Sequence, residues 1–208
     1  MKYKALLIDF DNTIIGTEDS NHLLFLETIE GLIGRKLTRE DGRNFVGHTW
    51  KGIFQIMSDK YLPDMKPQAL RDIFISAKTD YFKDRTAPVA EGLEQLLELD
   101  IKKAIVTGSS RAEVDMFSHI IPLDKFDLIA TDELYENGKP APDGYLYAAE
   151  ALGLEPSECL AVEYSFIGLT SARKAGCATV FTREFADEDY SDIADNTVAN
   201  MRDILGLL

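Results

Sequence analysis

Residues Ala5 to Ile8 form an unbroken apolar run, and the first charged residues after it are Asp9 and Asp11. Four residues are too few for a helix, and a run without polar alternation suits a strand buried on both faces. Strands of that kind belong to parallel sheets covered by helices, so this short stretch already points to an α/β chain. If the extended path continues past Ile8, residues two apart project to the same side, and the carboxylates of Asp9 and Asp11 stand together. Two carboxylates that close repel each other unless a proton or a cation lies between them. An oxygen cluster of this type suits Mg²⁺. A nucleophilic carboxylate beside a second, proton-handling carboxylate is also the minimal equipment for an aspartyl-phosphate enzyme. The same residues also read as a strand followed by an Asx turn with both acids solvated.

Beyond this strand the pattern changes twice. From Gly16 to Arg85 the apolar residues recur at helical spacing, as in Leu23-Leu24-Phe25-Leu26 with Ile29, Leu32 and Ile33. Gly34 marks a stop, Thr38 an N-cap, Trp50–Met57 a further helix and Pro67 the start of a fourth. No segment here reads as a strand, so the block is expected to be an all-helical insertion. From Pro88 onward short apolar runs alternate with helical stretches. Expected strands are Ala104–Val106, Phe126–Ala130, Cys159–Val162, Cys177–Phe181 and a short one at Val198. Expected helices are Ala90–Glu98, Arg111–His119, Gly144–Leu152, Phe166–Ala175 and Met201–Leu205. This alternation calls for a Rossmann-like parallel sheet core, residues 1–15 and 86–208, with an inserted all-helical cap domain, residues 16–85.

The chain of 208 residues carries a formal charge of −14, which opposes nucleic acid and anionic membranes as partners. Any site for a phosphorylated ligand must therefore reverse the field locally. No apolar run approaches membrane-spanning length, and no basic-then-apolar leader is seen. Cys159 and Cys177 lie in apolar runs and read as buried thiols, which fits a reducing, cytoplasmic setting.

In parallel sheets ligands bind beyond the carboxyl ends of the strands. Polar residues with usable chemistry stand at several of those ends: Asp9 and Asp11, Thr107-Gly108-Ser109-Ser110, and Glu163. Thr107 and Gly108 read as part of a phosphate cradle made of a hydroxyl, backbone N–H groups and a helix N-terminus. Lys139, in Gly138-Lys139-Pro140-Ala141-Pro142, is a cation in a loop stiffened by two prolines.

Together, in this order, these residues resemble the haloacid dehalogenase-like hydrolase superfamily, in its phosphatase and beta-phosphoglucomutase-like branch. Asp9-Phe10-Asp11-Asn12-Thr13 matches the first family motif, Thr107 the second, Lys139 the third, and Glu163-Tyr164-Ser165 resembles the fourth. The resemblance implies a Mg²⁺-dependent phosphatase acting on a small phosphorylated metabolite. It implies that Asp9 attacks phosphorus, that Asp11 serves as acid and base, and that Asp9, Asp11 and Glu163 hold the metal. It also implies a phosphate held by Thr107, Gly108 and Lys139. The alternatives are a sugar-phosphate mutase of the same superfamily, or a phosphate-ligand-binding protein with weakened catalysis. The last arises because Tyr164 stands where the family usually places a metal-binding Asp. Substrate-facing candidates on the insertion are His22, Arg43 and Lys51, with His48 and Trp50 beside them.

Overall fold

The computed structural model describes residues 2–45 and 50–208. Six strands form one sheet in the order β3-β2-β1-β4-β5-β6, with every neighbouring pair parallel. They are β1 (Ala5–Ile8), β2 (Lys102–Val106), β3 (Leu128–Ala130), β4 (Cys159–Glu163), β5 (Ala178–Thr182) and β6 (Asn196–Val198). All four residues of β1 are fully buried, as a central strand covered on both faces requires. The chain returns on either side of it, so β1 lies at the point where strand order reverses. Ile8 is in register with Ile105 of β2 and Val162 of β4, which sets the carboxyl ends of three strands side by side.

The helices of this unit are α5 (Leu93–Leu97), α6 (Arg111–Asp115), α7 (Asp143–Ala151) and α8 (Phe166–Ala175). Two are shorter than their periodicity suggests. The α6 helix ends at Asp115 rather than continuing to His119, and α5 begins only after Gly92, whose φ is 95°. A Cβ at Gly92 would lie 2.3 Å from the Arg202 nitrogen, so backbone packing as well as conformation demands glycine there. The C-terminal segment Met201–Gly206 is a 3₁₀-helix rather than an α-helix. Small residues from α7 and α8, Ala148, Ala149 and Ala172, pack with Leu7, Val106, Ala161 and both cysteines in one continuous apolar core.

The inserted helices are α1 (Glu18–Ile33), α2 (Arg39–Arg43), α3 (Trp50–Lys60) and α4 (Pro67–Phe82). Gly34 follows α1 with φ 69°, and Thr38 caps α2 in a capping box with Asp41. Their core is aromatic: buried Phe25 meets Phe54 and Phe74 edge-on, and the exposed Trp50 stacks on Phe74 from outside with centroids 5.0 Å apart. The chain divides into two compact units, Met1–Thr17 with Ala87–Leu208, and Glu18–Thr86. Gly16 and Thr17 thus go with the sheet unit, because Ile15 bridges Val89 and the Gly16 N–H donates to the Pro88 carbonyl at 2.9 Å. Among the described residues no helix is long and apolar enough to cross a membrane.

Candidate active site

The strand β1 stops at Ile8, but Asp9 still donates its N–H to the Val162 carbonyl at 3.0 Å. The chain then turns sharply. The Phe10 carbonyl accepts from the N–H groups of Thr13, Ile14 and Ile15, and Asn12 sits at φ 55°. Asn is among the few residues that tolerate that left-handed conformation, and its Oδ1 accepts from the Thr17 N–H at 2.9 Å. Asp11 therefore reaches its place by a turn rather than by the extended path that the two-residue spacing suggests. Each aspartate is then fixed by hydroxyls. Thr13 donates to Asp9 Oδ2 at 2.8 Å. Thr17 and Ser109 donate to Asp11 Oδ1 and Oδ2, both at 2.6 Å.

Lys139 supplies the cation. Its ammonium has three protons and meets three acceptors: Asp9 Oδ1 at 2.6 Å, Glu163 Oε1 at 2.5 Å and the Val106 carbonyl at 3.0 Å. One side chain thus joins the ends of β1, β2 and β4. Burial and the nearby Glu163 push the Asp9 carboxyl up to about 7, more than Lys139 draws it down. Burial works to lower the Lys139 ammonium, but Asp9 and Glu163 outweigh it and hold the group above its usual range. Lys139 is therefore charged at any physiological pH.

Thr107 follows β2, is buried, and accepts the Ser109 N–H on its hydroxyl at 3.0 Å. Its carbonyl accepts from the Tyr135 hydroxyl at 2.5 Å. A Cβ on Gly108 would meet only open space, so the loop is unobstructed at that point. The neighbouring helix start is different from the cradle expected there. Glu113 accepts from the N–H and hydroxyl of Ser110, and Glu133 accepts from the Arg111 N–H at 3.1 Å on both oxygens. Carboxylates already satisfy these groups, and α6 is only five residues long. Of the expected cradle, Thr107, Gly108 and Lys139 are in place, and the helix-start N–H groups are taken by Glu113 and Glu133.

Glu163, at the end of β4, is fully buried. Tyr145 of α7 donates to its Oε1 at 2.7 Å, a partner that sequence reasoning missed because an apolar-flanked tyrosine reads as plain core. Thr13 and Ser109 stand within motifs read from the sequence, but their bonds to Asp9 and Asp11, like that of Thr17, were not legible there, since hydroxyls near turns usually serve local caps. On the helical unit His22, Arg43 and Lys51 are exposed, as is Trp50, while His48 lies outside the described residues.

A family model described as "Haloacid dehalogenase-like hydrolase" matches residues 6–182. The chain belongs to the haloacid dehalogenase-like hydrolases. It is 33% identical to Protein CbbY of Rhodobacter capsulatus, over 94% of this chain and 92% of that protein. It is 27% identical to the fructose-1-phosphate phosphatase YqaB of Escherichia coli, over 88% of this chain and 97% of that one. Among solved structures, CbbY from Rhodobacter sphaeroides in complex with phosphate shares the fold with a TM-score of 0.84 at 21% identity, covering 97% of this chain and 96% of that one.

Proposed function

We propose that this protein is a haloacid dehalogenase-like phosphoric monoester hydrolase that cleaves a small phosphomonoester through an aspartyl-phosphate on Asp9. The observation that carries this is the junction of three strand ends, where the Lys139 ammonium lies against Asp9 and two hydroxyls aim Asp11. Two relatives guide the choice of substrate: one is named a fructose-1-phosphate phosphatase, and a solved CbbY form holds xylulose-(1,5)bisphosphate. Both ligands are phosphorylated sugars, so a sugar phosphate is the first substrate to try.

In the first step a carboxylate oxygen of Asp9 forms a bond to phosphorus as the bond to the leaving oxygen breaks, and Asp11 gives that oxygen its proton. In the second, Asp11 takes a proton from water, the water oxygen bonds to phosphorus, and the Asp9–phosphorus bond breaks. Thr17 and Ser109 each donate to Asp11, which fixes its direction through both steps. Thr107 and the Gly108 backbone donate to the phosphoryl oxygens, and the Lys139 ammonium, held beside Asp9, supplies positive charge where negative charge develops.

Mg²⁺ suits the hard carboxylate oxygens of Asp9 and Asp11, which Thr13, Thr17 and Ser109 contact through neutral hydroxyls. When bound, the ion would neutralise part of the phosphoryl charge. Phosphate release from an aryl phosphate and from a panel of sugar phosphates, each titrated with Mg²⁺, tests the reading. Release that depends on Asp9 supports it. No release from any ester by a folded, Mg²⁺-supplied protein would favour a ligand-binding role instead.

A further inference from the structure

Glu163 differs from Asp9 and Asp11 in how completely it is enclosed. A carboxylate offers about four acceptor positions. Oε1 takes the Lys139 ammonium at 2.5 Å and the Tyr145 hydroxyl at 2.7 Å. Oε2 takes, more weakly, the Tyr164 N–H at 3.3 Å and the Ser165 hydroxyl at 3.4 Å. The group has no exposed surface. The first turn of α8 closes over it so tightly that a Cβ on Gly168 would lie 2.0 Å from the Glu163 carboxyl carbon. The Tyr145 phenol, buried and facing carboxylates, is held well above its ordinary value and remains a hydrogen-bond donor.

Among the described residues, no three His, Cys, Asp or Glu side chains gather as a metal centre. To reach a cation, Glu163 would have to leave four donors and strip Lys139 of one of its two anionic partners inside the protein.

We propose that Glu163 is not a metal ligand in this chain but a positioning residue: with Tyr145 it holds the Lys139 ammonium against Asp9, and the metal is left to Asp9 and Asp11. The proposal builds on the phosphatase reading above. It adds that Tyr145, on the buried face of helix α7, acts on catalysis through two intermediaries. The ring of Tyr145 also lies under the ammonium, 5.4 Å from it, so the phenol restrains Lys139 both through Glu163 and directly.

The test uses Mn²⁺ as the probe, its free concentration read by electron paramagnetic resonance with the full chain. Wild type, Glu163→Gln, Tyr145→Phe and, as the ligand control, Asp9→Asn are compared, with phosphate release measured on all but the control. The Tyr145→Phe variant keeps the ring and its packing, which covers the case in which Glu163→Gln does not fold. Expected are Mn²⁺ dissociation constants within about threefold of wild type for both Glu163→Gln and Tyr145→Phe. In the same two variants kcat should fall, about tenfold or more for Glu163→Gln and severalfold for Tyr145→Phe, with KM nearly constant. Mn²⁺ binding weakened about tenfold or more by Glu163→Gln would make Glu163 a ligand and overturn the proposal. Tighter Mn²⁺ binding by Tyr145→Phe would overturn it too, because the phenol would then be competing with the ion for Glu163. Unchanged kcat in both variants would remove the positioning role. If wild type binds Mn²⁺ yet hydrolyses no phosphate ester, the phosphatase reading fails while the binding comparison still decides the place of Glu163.

Discussion

At Asp9 and Tyr164 single atoms decide the chemistry. On the proposed mechanism, replacing Asp9 by Asn removes the charge a nucleophile needs while keeping its shape. Asp9→Asn should abolish turnover and leave the circular dichroism spectrum unchanged. Its melting temperature should equal or exceed that of wild type, because a buried carboxyl already pushed up to about 7 by burial and Glu163 is relieved of that repulsion. Retained phosphate release would sink the covalent mechanism. Tyr164 presents a phenol where the family usually carries a carboxylate. On the proposed reading, with Asp9 and Asp11 holding the metal, Tyr164→Asp should supply a third carboxylate. The Mg²⁺ concentration for half-maximal phosphate release is then expected to fall, and superimposable Mg²⁺ curves would make Tyr164 a bystander. The thiols are a simpler case. Burial pushes Cys159 up to about 11 and Cys177 up to about 12, so neither should react with a disulfide reagent at neutral pH until the chain is unfolded.

The element that matters most to the site is α8. It begins at Ser165, whose hydroxyl accepts from the Gly168 N–H at 3.1 Å, and its first turn rests on the Glu163 carboxylate. Gly168 is needed here for space rather than for backbone conformation. Gly168→Ala should push the helix start away from β4 and disturb Glu163 and Lys139 together. Overpacking of this type costs about 1–3 kcal/mol, which for a domain of this size lowers the melting temperature by about 2–12 °C. Phosphate release should fall in the same variant. A protein with wild-type melting and activity would mean that the carboxylate has room the structure does not show. Helix α6 teaches the complementary lesson. Its sequence carries a helix-start signature beside Thr107, which suits an anion site, yet Glu113 and Glu133 already occupy the N–H groups.

The whole molecule is a sheet unit interrupted by a contiguous helical unit, Glu18–Thr86. The two ends of the insertion are already tied within the sheet unit: Ala90 donates to the Ile14 carbonyl and Gly16 donates to the Pro88 carbonyl, each at 2.9 Å. A linker therefore has little distance to span. Replacing residues 18–86 with a short Gly/Ser linker should leave a core that melts cooperatively and gives a dispersed amide spectrum. An aggregated or non-cooperative product would show that the sheet unit needs the insertion to fold.

Much of this was legible along the chain, and the reasons are local. The buried strand Ala5–Ile8, the Thr38 cap, the glycine stop at Gly34 and the alternation after Pro88 each follow from periodicity and backbone chemistry within a few residues. The order of Asp9, Asp11, Thr107, Lys139 and Glu163 pointed to one sheet edge because parallel strands place all their carboxyl ends together. What the tertiary structure alone decided is partner choice. Lys139 lies 130 residues from Asp9 in the chain, and Tyr145 lies 18 from Glu163. Nothing local says that the ammonium's three protons fall on three strand ends, or that a core tyrosine completes the shell around Glu163. A carboxylate offers about four acceptor positions. Which donors fill them is settled only when the register of β1, β2 and β4 brings those ends side by side.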